Sequence, residues 1–198
     1  MKVVVRLMNF DERKVSYFKE AGEQNTDTLL KLAKEYAEKE NISDIVVAST
    51  TGATGAKASE IYKGRNVVVV THSFGIQESG KNELQEAFKK EILKNGARIF
   101  TGTHDLSSAE RAIRKDFGTI QPLELIANVL RLMGEGTKVC VEITLMAADA
   151  GLIPVDRDIV AIGGTGRGAD TALRIKPAHA ARFFDLRIEE VIAKPSHF

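Results

Sequence analysis

Apolar and polar positions along this chain fall into blocks that switch between strand and helix periodicity. Val3, Val4 and Val5 open a β-rich run that resumes as Val15 to Phe18, and turn chemistry at Asn9 to Glu12 between them predicts a short N-terminal hairpin. From Asn25 or Thr26, either of which can cap a helix, Leu29, Ala33 and Tyr36 recur at helical spacing on a charged segment ending near Glu40. Ile45–Ala48 and Val67–Val70 are short continuous apolar runs, the signature of strands covered on both faces. A short helix within Gly55–Lys63 joins them as a βαβ unit with a right-handed crossover. Leu84, Phe88 and Ile92 mark the next helix, stopped at Asn95-Gly96 by a left-handed cap, and Arg98–Phe100 begins another strand.

Ser107 and Glu110 have capping-box spacing, and Pro122 suits the first turn of a helix over Leu123–Met133. That second helix is apolar nearly all round, which predicts burial and gives a hint of a homo-oligomer. Thr137–Ala150 fits both periods; its length and the stop at Gly151 favour a helix. Ile159–Ile162 is the last strong strand, with Thr171–Ile175 returning beside it. Strands alternating with helices predict an α/β fold with a mostly parallel, doubly wound sheet. With no repeat, low-complexity tract or linker, residues 1–198 are expected to form one domain, 1–14 being an N-terminal extension of strand and turn.

Composition narrows the function classes. Lys plus Arg number 28 against 27 Asp plus Glu, so no global field exists to hold a nucleic-acid backbone or an anionic membrane surface. No apolar run approaches spanning length, and Met1 leads into a strand-like run rather than a signal-type segment. The single cysteine, Cys140, excludes an intrachain disulfide and reads as a buried small residue in a reducing compartment. A cytoplasmic protein is expected.

In open α/β sheets, ligands collect beyond the carboxyl ends of the strands, where helix N-termini present free N–H groups. Four successive strand exits carry small, polar or histidine-bearing loops. The first, Ser49-Thr50-Thr51-Gly52-Ala53-Thr54-Gly55, combines hydroxyls with glycines at a helix start and reads as a phosphate cradle. It lacks both the GK[ST] ending of a Walker A loop and the G-x-G-x-x-G dinucleotide fingerprint. The others are Thr71-His72-Ser73-Phe74-Gly75, Thr101-Gly102-Thr103-His104-Asp105 and Gly163-Gly164-Thr165-Gly166-Arg167-Gly168-Ala169-Asp170. Arg167 is either the counter-charge of a phosphate dianion or a surface cation. His72 and His104 offer ligand hydrogen bonds or an acid–base pair, and no third residue has the spacing that a metal site would need. Asp170 either accepts from a ligand or braces its turn. Glu142, interrupting an apolar helix, needs a partner or the pocket, whereas Asp149, His179 and His197 read as structural or incidental.

Taken together, these residues resemble a family of stand-alone archaeal and bacterial proteins similar to the C-terminal domain of pyruvate kinase. The marks are Tyr17-Phe18, Gly22, Asn25-Thr26, Val46-Val47-Ala48-Ser49 and Val70-Thr71-His72, then Lys138-Val139-Cys140-Val141-Glu142-Ile143 and Met146-Ala147-Ala148-Asp149-Ala150-Gly151. Gly163-Gly164-Thr165, Gly168-Ala169-Asp170-Thr171-Ala172 and Pro177-Ala178-His179 complete them. The resemblance implies a three-layer αβα fold with flavin mononucleotide (FMN) in the pocket and no settled reaction. It makes Ser49–Thr54 the phosphate-holding element and lines the rest with the loops at His72, His104 and Gly163–Asp170. Pyruvate kinase's catalytic barrel has no counterpart here, so kinase activity is not implied. The expected function is therefore binding of a phosphorylated small molecule, FMN foremost. The alternatives are a flavin-dependent oxidoreductase or other enzyme using His72, His104 or Asp170, and a regulatory partner in a larger complex.

Overall fold

The continuous apolar runs become strands whose alternate side chains enter two different cores. A computed structural model describes residues 11–198. Its first half contains β1 (Ser16–Glu20), α1 (Thr26–Lys39), β2 (Asp44–Ala48), α2 (Ala53–Ile61), β3 (Asn66–Thr71), α3 (Glu86–Lys94) and β4 (Arg98–Thr101). The second half contains α4 (Ser108–Phe117), α5 (Pro122–Arg131), α6 (Glu135–Asp149), β5 (Ile159–Gly163), β6 (Thr171–Lys176) and β7 (Arg187–His197).

Successive strand residues point to opposite faces. Ile45, Val47, Val67, Val69, Val160 and Ile162 accordingly pack with Leu29, Leu30 and Ala33 of α1 and with α2 and Ile92 of α3. Val46, Val68, Val70, Ile159 and Ala161 pack on the other side against Cys140, Val141, Ile143, Leu145 and Met146 of α6. Both faces being covered explains why these strands show no polar alternation. The result is three layers around one seven-stranded sheet of order β1-β7-β6-β5-β2-β3-β4. β2 is parallel to β3 and β5, β3 to β4 and β1 to β7; the pairs flanking β6 are antiparallel. Winding proceeds from β2 outward to β4, then returns through α4, α5 and α6 to β5 on β2's other side. The crevice between the exits of β2 and β5 is thus a topological switch point.

Several local expectations need correction. Val3–Val5, the first arm of the expected hairpin, lies outside the described residues; β1, expected to be the second arm, pairs in parallel with β7. β7 follows the supposed last strand: its charged residues hid it, although Ile192 and Ala193 are buried within it. The capping box does not form, because Glu110 Oε2 accepts from the Leu123 N–H at 2.9 Å and so joins α4 to α5. α5 is not enclosed: Ala127 is buried, but Leu125 and Val129 are more than half exposed because α5 covers α6 with one face only. α6 is the enclosed helix, between the sheet and α5. There Cys140 is fully buried and donates to the Ala161 carbonyl, burial pushing its thiol pKa up. No helix among the described residues is long and apolar enough to cross a membrane.

Candidate functional site

β2 ends at Ala48 and the chain turns through Ser49–Gly52 into α2. Ser49 fixes that turn, donating its N–H to the Val70 carbonyl and accepting the Gly55 N–H at its Oγ, both at 2.9 Å. The amides of Ala53 and Thr54, at the start of α2, have no intrahelical acceptor and carry the positive end of its dipole. Gly52 is required twice over. Its φ is +97°, and a Cβ would fall 2.7 Å from Phe88 Cβ, where α3 approaches.

Around this turn opens a cleft of about 840 Å³, within the roughly 300–1,000 Å³ usual for small-molecule sites. Thr50, Thr51 and Thr54 line it beside Ser49; Thr71, His72 and His104 line it from the exits of β3 and β4; Gly164, Arg167 and Gly168 line it from the exit of β5. These are the residues that sequence reasoning placed together and that the structure brings together. Gly52, Gly75, Gly102, Thr103, Gly163, Thr165, Ala169 and Asp170 stand behind or beside the wall rather than on it.

Asp170 is the clearest reassignment. It is fully buried, its Oδ2 accepts from the N–H groups of Gly22 and Thr165 at 3.0 and 3.2 Å, and its Oδ1 accepts the Thr171 hydroxyl. With its lone pairs so committed, Asp170 braces the glycine loop and does not face a ligand. Ala169 is likewise structural: its N–H donates to Thr26 Oγ1 at 2.9 Å, tying that loop to the start of α1. Gly168 makes the approach possible, with φ +73° and no room for a Cβ against Glu23.

The wall facing α2 is formed by α6, whose N-terminal end contributes Glu135, Lys138, Val139, Glu142 and Ile143. Glu142 is 2% exposed, yet it is fully partnered. Lys138 Nζ lies 2.5 Å and His104 Nδ1 3.3 Å from its Oε2, and the Leu106 N–H donates to its Oε1 at 3.1 Å. Burial alone would raise its pKa, but the His104 hydrogen bond and the Lys138 ammonium outweigh it and hold the carboxyl at about 2. The neighbouring Asp105 goes the other way: burial first, then the carboxylates of Asp149 and Glu142, push it to about 6. Its Oδ2 has no hydrogen-bond partner among the described residues.

His72 is held in a similar manner. Its Nδ1 is 2.7 Å from Glu83 Oε2, and its carbonyl accepts from Asn82 Nδ2 at 2.6 Å. The loop after β3 thus folds back to fix the imidazole, which meets the ring of His104 edge-on with centroids 5.3 Å apart. Sequence reasoning missed Glu83, Arg111, Arg131, Glu135 and Lys138. Only Lys138 left a trace, as a cation four residues before Glu142 on an otherwise apolar helix.

Charge in the cleft is lopsided. Lys57, Arg111, Arg131, Lys138 and Arg167 stand against Glu23, Glu135 and Glu142. Lys57 is engaged by Asp27, Arg131 by Glu135 and Lys138 by Glu142, whereas Arg111 and Arg167 have no carboxylate partner among the described residues. Such a cleft favours an anion.

Residues 27–175, most of the chain, match the family Pyruvate kinase, alpha/beta domain. Similar solved structures include two of Cryptosporidium parvum pyruvate kinase, at 16% identity over 75% of this chain with TM-scores of 0.35 and 0.37. A third, of the same organism's enzyme in complex with ADP, is 17% identical over 75% of this chain with a TM-score of 0.35. The chain spans 22% of the length of each of these enzymes.

Proposed function

The chain belongs to the pyruvate kinase alpha/beta domain family, and from that premise we propose that its cleft binds a phosphorylated small molecule, with FMN the leading candidate. The observation that carries this reading is the open N-terminus of α2 at the switch point, facing a cleft with an excess of cationic side chains. The phosphate would accept from the Ala53 and Thr54 amides and the Thr50 and Thr51 hydroxyls, with Arg167 at the exposed rim as counter-charge.

FMN fits the available residues. The cleft has the volume for it, the α2 turn suits its phosphate, and Val139, Ile143, Val70 and Ile76 supply apolar surface for the ring system. When bound, a flavin would supply hydride or electron transfer; this chain's residues would anchor and orient it.

Melting curves recorded across titrations of FMN and of inorganic phosphate test the proposal. A ligand at one hundred times its Kd should stabilise the protein by about 2.7 kcal/mol, and bound FMN should lose fluorescence. If phosphate stabilises and FMN neither stabilises nor is quenched, the flavin assignment fails and the phosphate site stands. If neither ligand shifts the melting temperature, the cleft is not a phosphate site.

A further inference from the structure

Independently of what the cleft holds, we propose that the exposed face of α5 is the contact surface of a symmetric homodimer, a second copy of this chain packing antiparallel on it with the twofold axis at Val129. The first ground is the makeup of that face. Leu125, Val129 and Leu132 are spaced four and then three residues apart, so they share one side of the helix. Ile126 and Leu130 between them turn inward and pack toward α6, while the three stand out from the surface.

The apolar stripe continues past both ends of α5. Beyond its C-terminal end comes Met133, and a Cβ on Gly134 would stand 3.7 Å from Phe198 Cδ1, which brings the Phe198 ring alongside. Lys194 Nζ lies 4.6 Å from the centroid of that ring and 5.6 Å from that of Tyr17, joining Tyr17 to the same surface. Ahead of the N-terminal end stands Ile120. Each of these seven side chains is between 48% and 77% exposed. With roughly 150–250 Å² to a large side chain, they leave on the order of 700–800 Å² of apolar surface uncovered among the described residues. The largest apolar patch of a typical monomer is only about 300–600 Å². One side of a standard protein–protein interface is about 800 Å².

The second ground points to the occupant. Turned about a twofold axis at Val129, the stripe maps onto itself. Leu125 of one copy meets Leu132 of the other, the reverse pair forms by symmetry, and Val129 meets its own counterpart. The Met133 and Phe198 end of each copy then lies over Ile120 of the other. An isologous contact requires this self-complementarity, and the four-then-three spacing is that of a helix–helix seam. A partner selected by charge finds nothing to hold here. The stripe itself carries no charge, and the bordering Glu124 and Arg131 are engaged within the chain, by Arg114 at 2.8 Å and Glu135 at 2.6 Å. Arg131 lies on another side of α5, toward the cleft, so the clefts of both copies stay open.

The test is sedimentation velocity on the full chain across about 1–100 µM, a range that brackets a micromolar Kd. The wild-type chain should run as a dimer. Val129→Glu and Val129→Lys each set like charges against one another at the axis, and each should raise the dimer Kd by about 100-fold or more while keeping the circular dichroism of the wild type. Mixed in equal amounts, the two variants should dimerise again, because Glu then faces Lys. A wild-type chain that stays monomeric throughout overturns the proposal. Undiminished dimerisation of both folded variants moves the contact to another surface and overturns it as well. A mixture that remains monomeric rules out an axis at Val129. If the charged variants do not fold, the stripe packs within its own chain and the dimer is wrong. Val129→Cys gives an independent reading that leaves the face apolar: mild oxidation should link two copies across the axis, with the fully buried Cys140 taking no part. Absence of the linked dimer would equally remove the axis.

Discussion

On one side of the cleft, Thr50, Thr51 and the first turn of α2 present neutral hydroxyls and backbone amides. On the other, Lys138, Glu142 and His104 stand as buried or half-buried ionisable groups. The α2 wall is made by one short stretch of chain, and its attraction for an anion comes from peptide dipoles that need no partner. The α6 wall is assembled from segments 36 residues apart, as in the bond from the Leu106 N–H to Glu142, and is tenable only because its charges neutralise one another. The first wall leaves its donors free toward the cleft; the second spends its charges on one another. They should therefore respond differently to substitution.

The largest difference should come from Lys138→Met. Removing one member of a buried pair typically costs about 3–5 kcal/mol, so urea denaturation at neutral pH should show a loss of that order. A loss below about 1 kcal/mol would mean that His104 and the Leu106 amide suffice to hold Glu142, and the walls differ less than argued. Next is Gly52→Ala. The left-handed backbone and the 2.7 Å approach to Phe88 predict a loss of about 2 kcal/mol and a distorted phosphate turn. Unchanged stability with full phosphate affinity would contradict the account of the α2 wall.

Arg167→Gln should weaken phosphate or FMN binding by about tenfold, some 1.4 kcal/mol, without moving the melting temperature of the free protein. Because Arg167 is exposed and has no carboxylate partner among the described residues, a stability change would give it a structural role instead.

The smallest effect concerns pH, where the two acids near the α6 wall have opposite signs. Glu142 is depressed from 4.5 to about 2, so its contribution is complete above about pH 4.5 and is lost as pH falls toward 2. Asp105 is raised from 3.8 to about 6, so its contribution is present below 3.8 and is lost as pH rises through 6. Asp105→Asn should consequently gain about 1 kcal/mol over wild type above pH 6, after allowance for solvent screening. Equal stability of the two proteins across pH 4–8 would show that Asp105 is solvated.

The turn from β2 into α2 was legible because everything it needs is written between Ser49 and Gly55: hydroxyls, a glycine at the turn and a helix directly behind. The central strands were legible for the same local reason. Asp170 shows the limit, since a carboxylate ending a glycine loop looks alike whether it faces ligand or backbone, and only the distant Gly22 N–H decided the matter. α5 shows another: its apolar positions foretold a buried helix, but burial depends on what packs against each face. Glu83 gave no signal, standing in a polar loop until that loop folded back onto His72.

By itself, then, the sequence determined the alternation of strands and helices, the two-sided burial of β2, β3 and β5, and the neutral wall of the cleft. These rest on periodicity and on backbone geometry, both expressed within a few residues. Only the tertiary structure decided which side chains became partners: that His104 and Lys138 meet on Glu142, that His72 meets Glu83, and that Asp170 turns inward. Those outcomes depend on distances between segments far apart in the chain, and the strength of a charge or hydrogen bond is set by such distances and by the exclusion of water, neither of which is encoded locally.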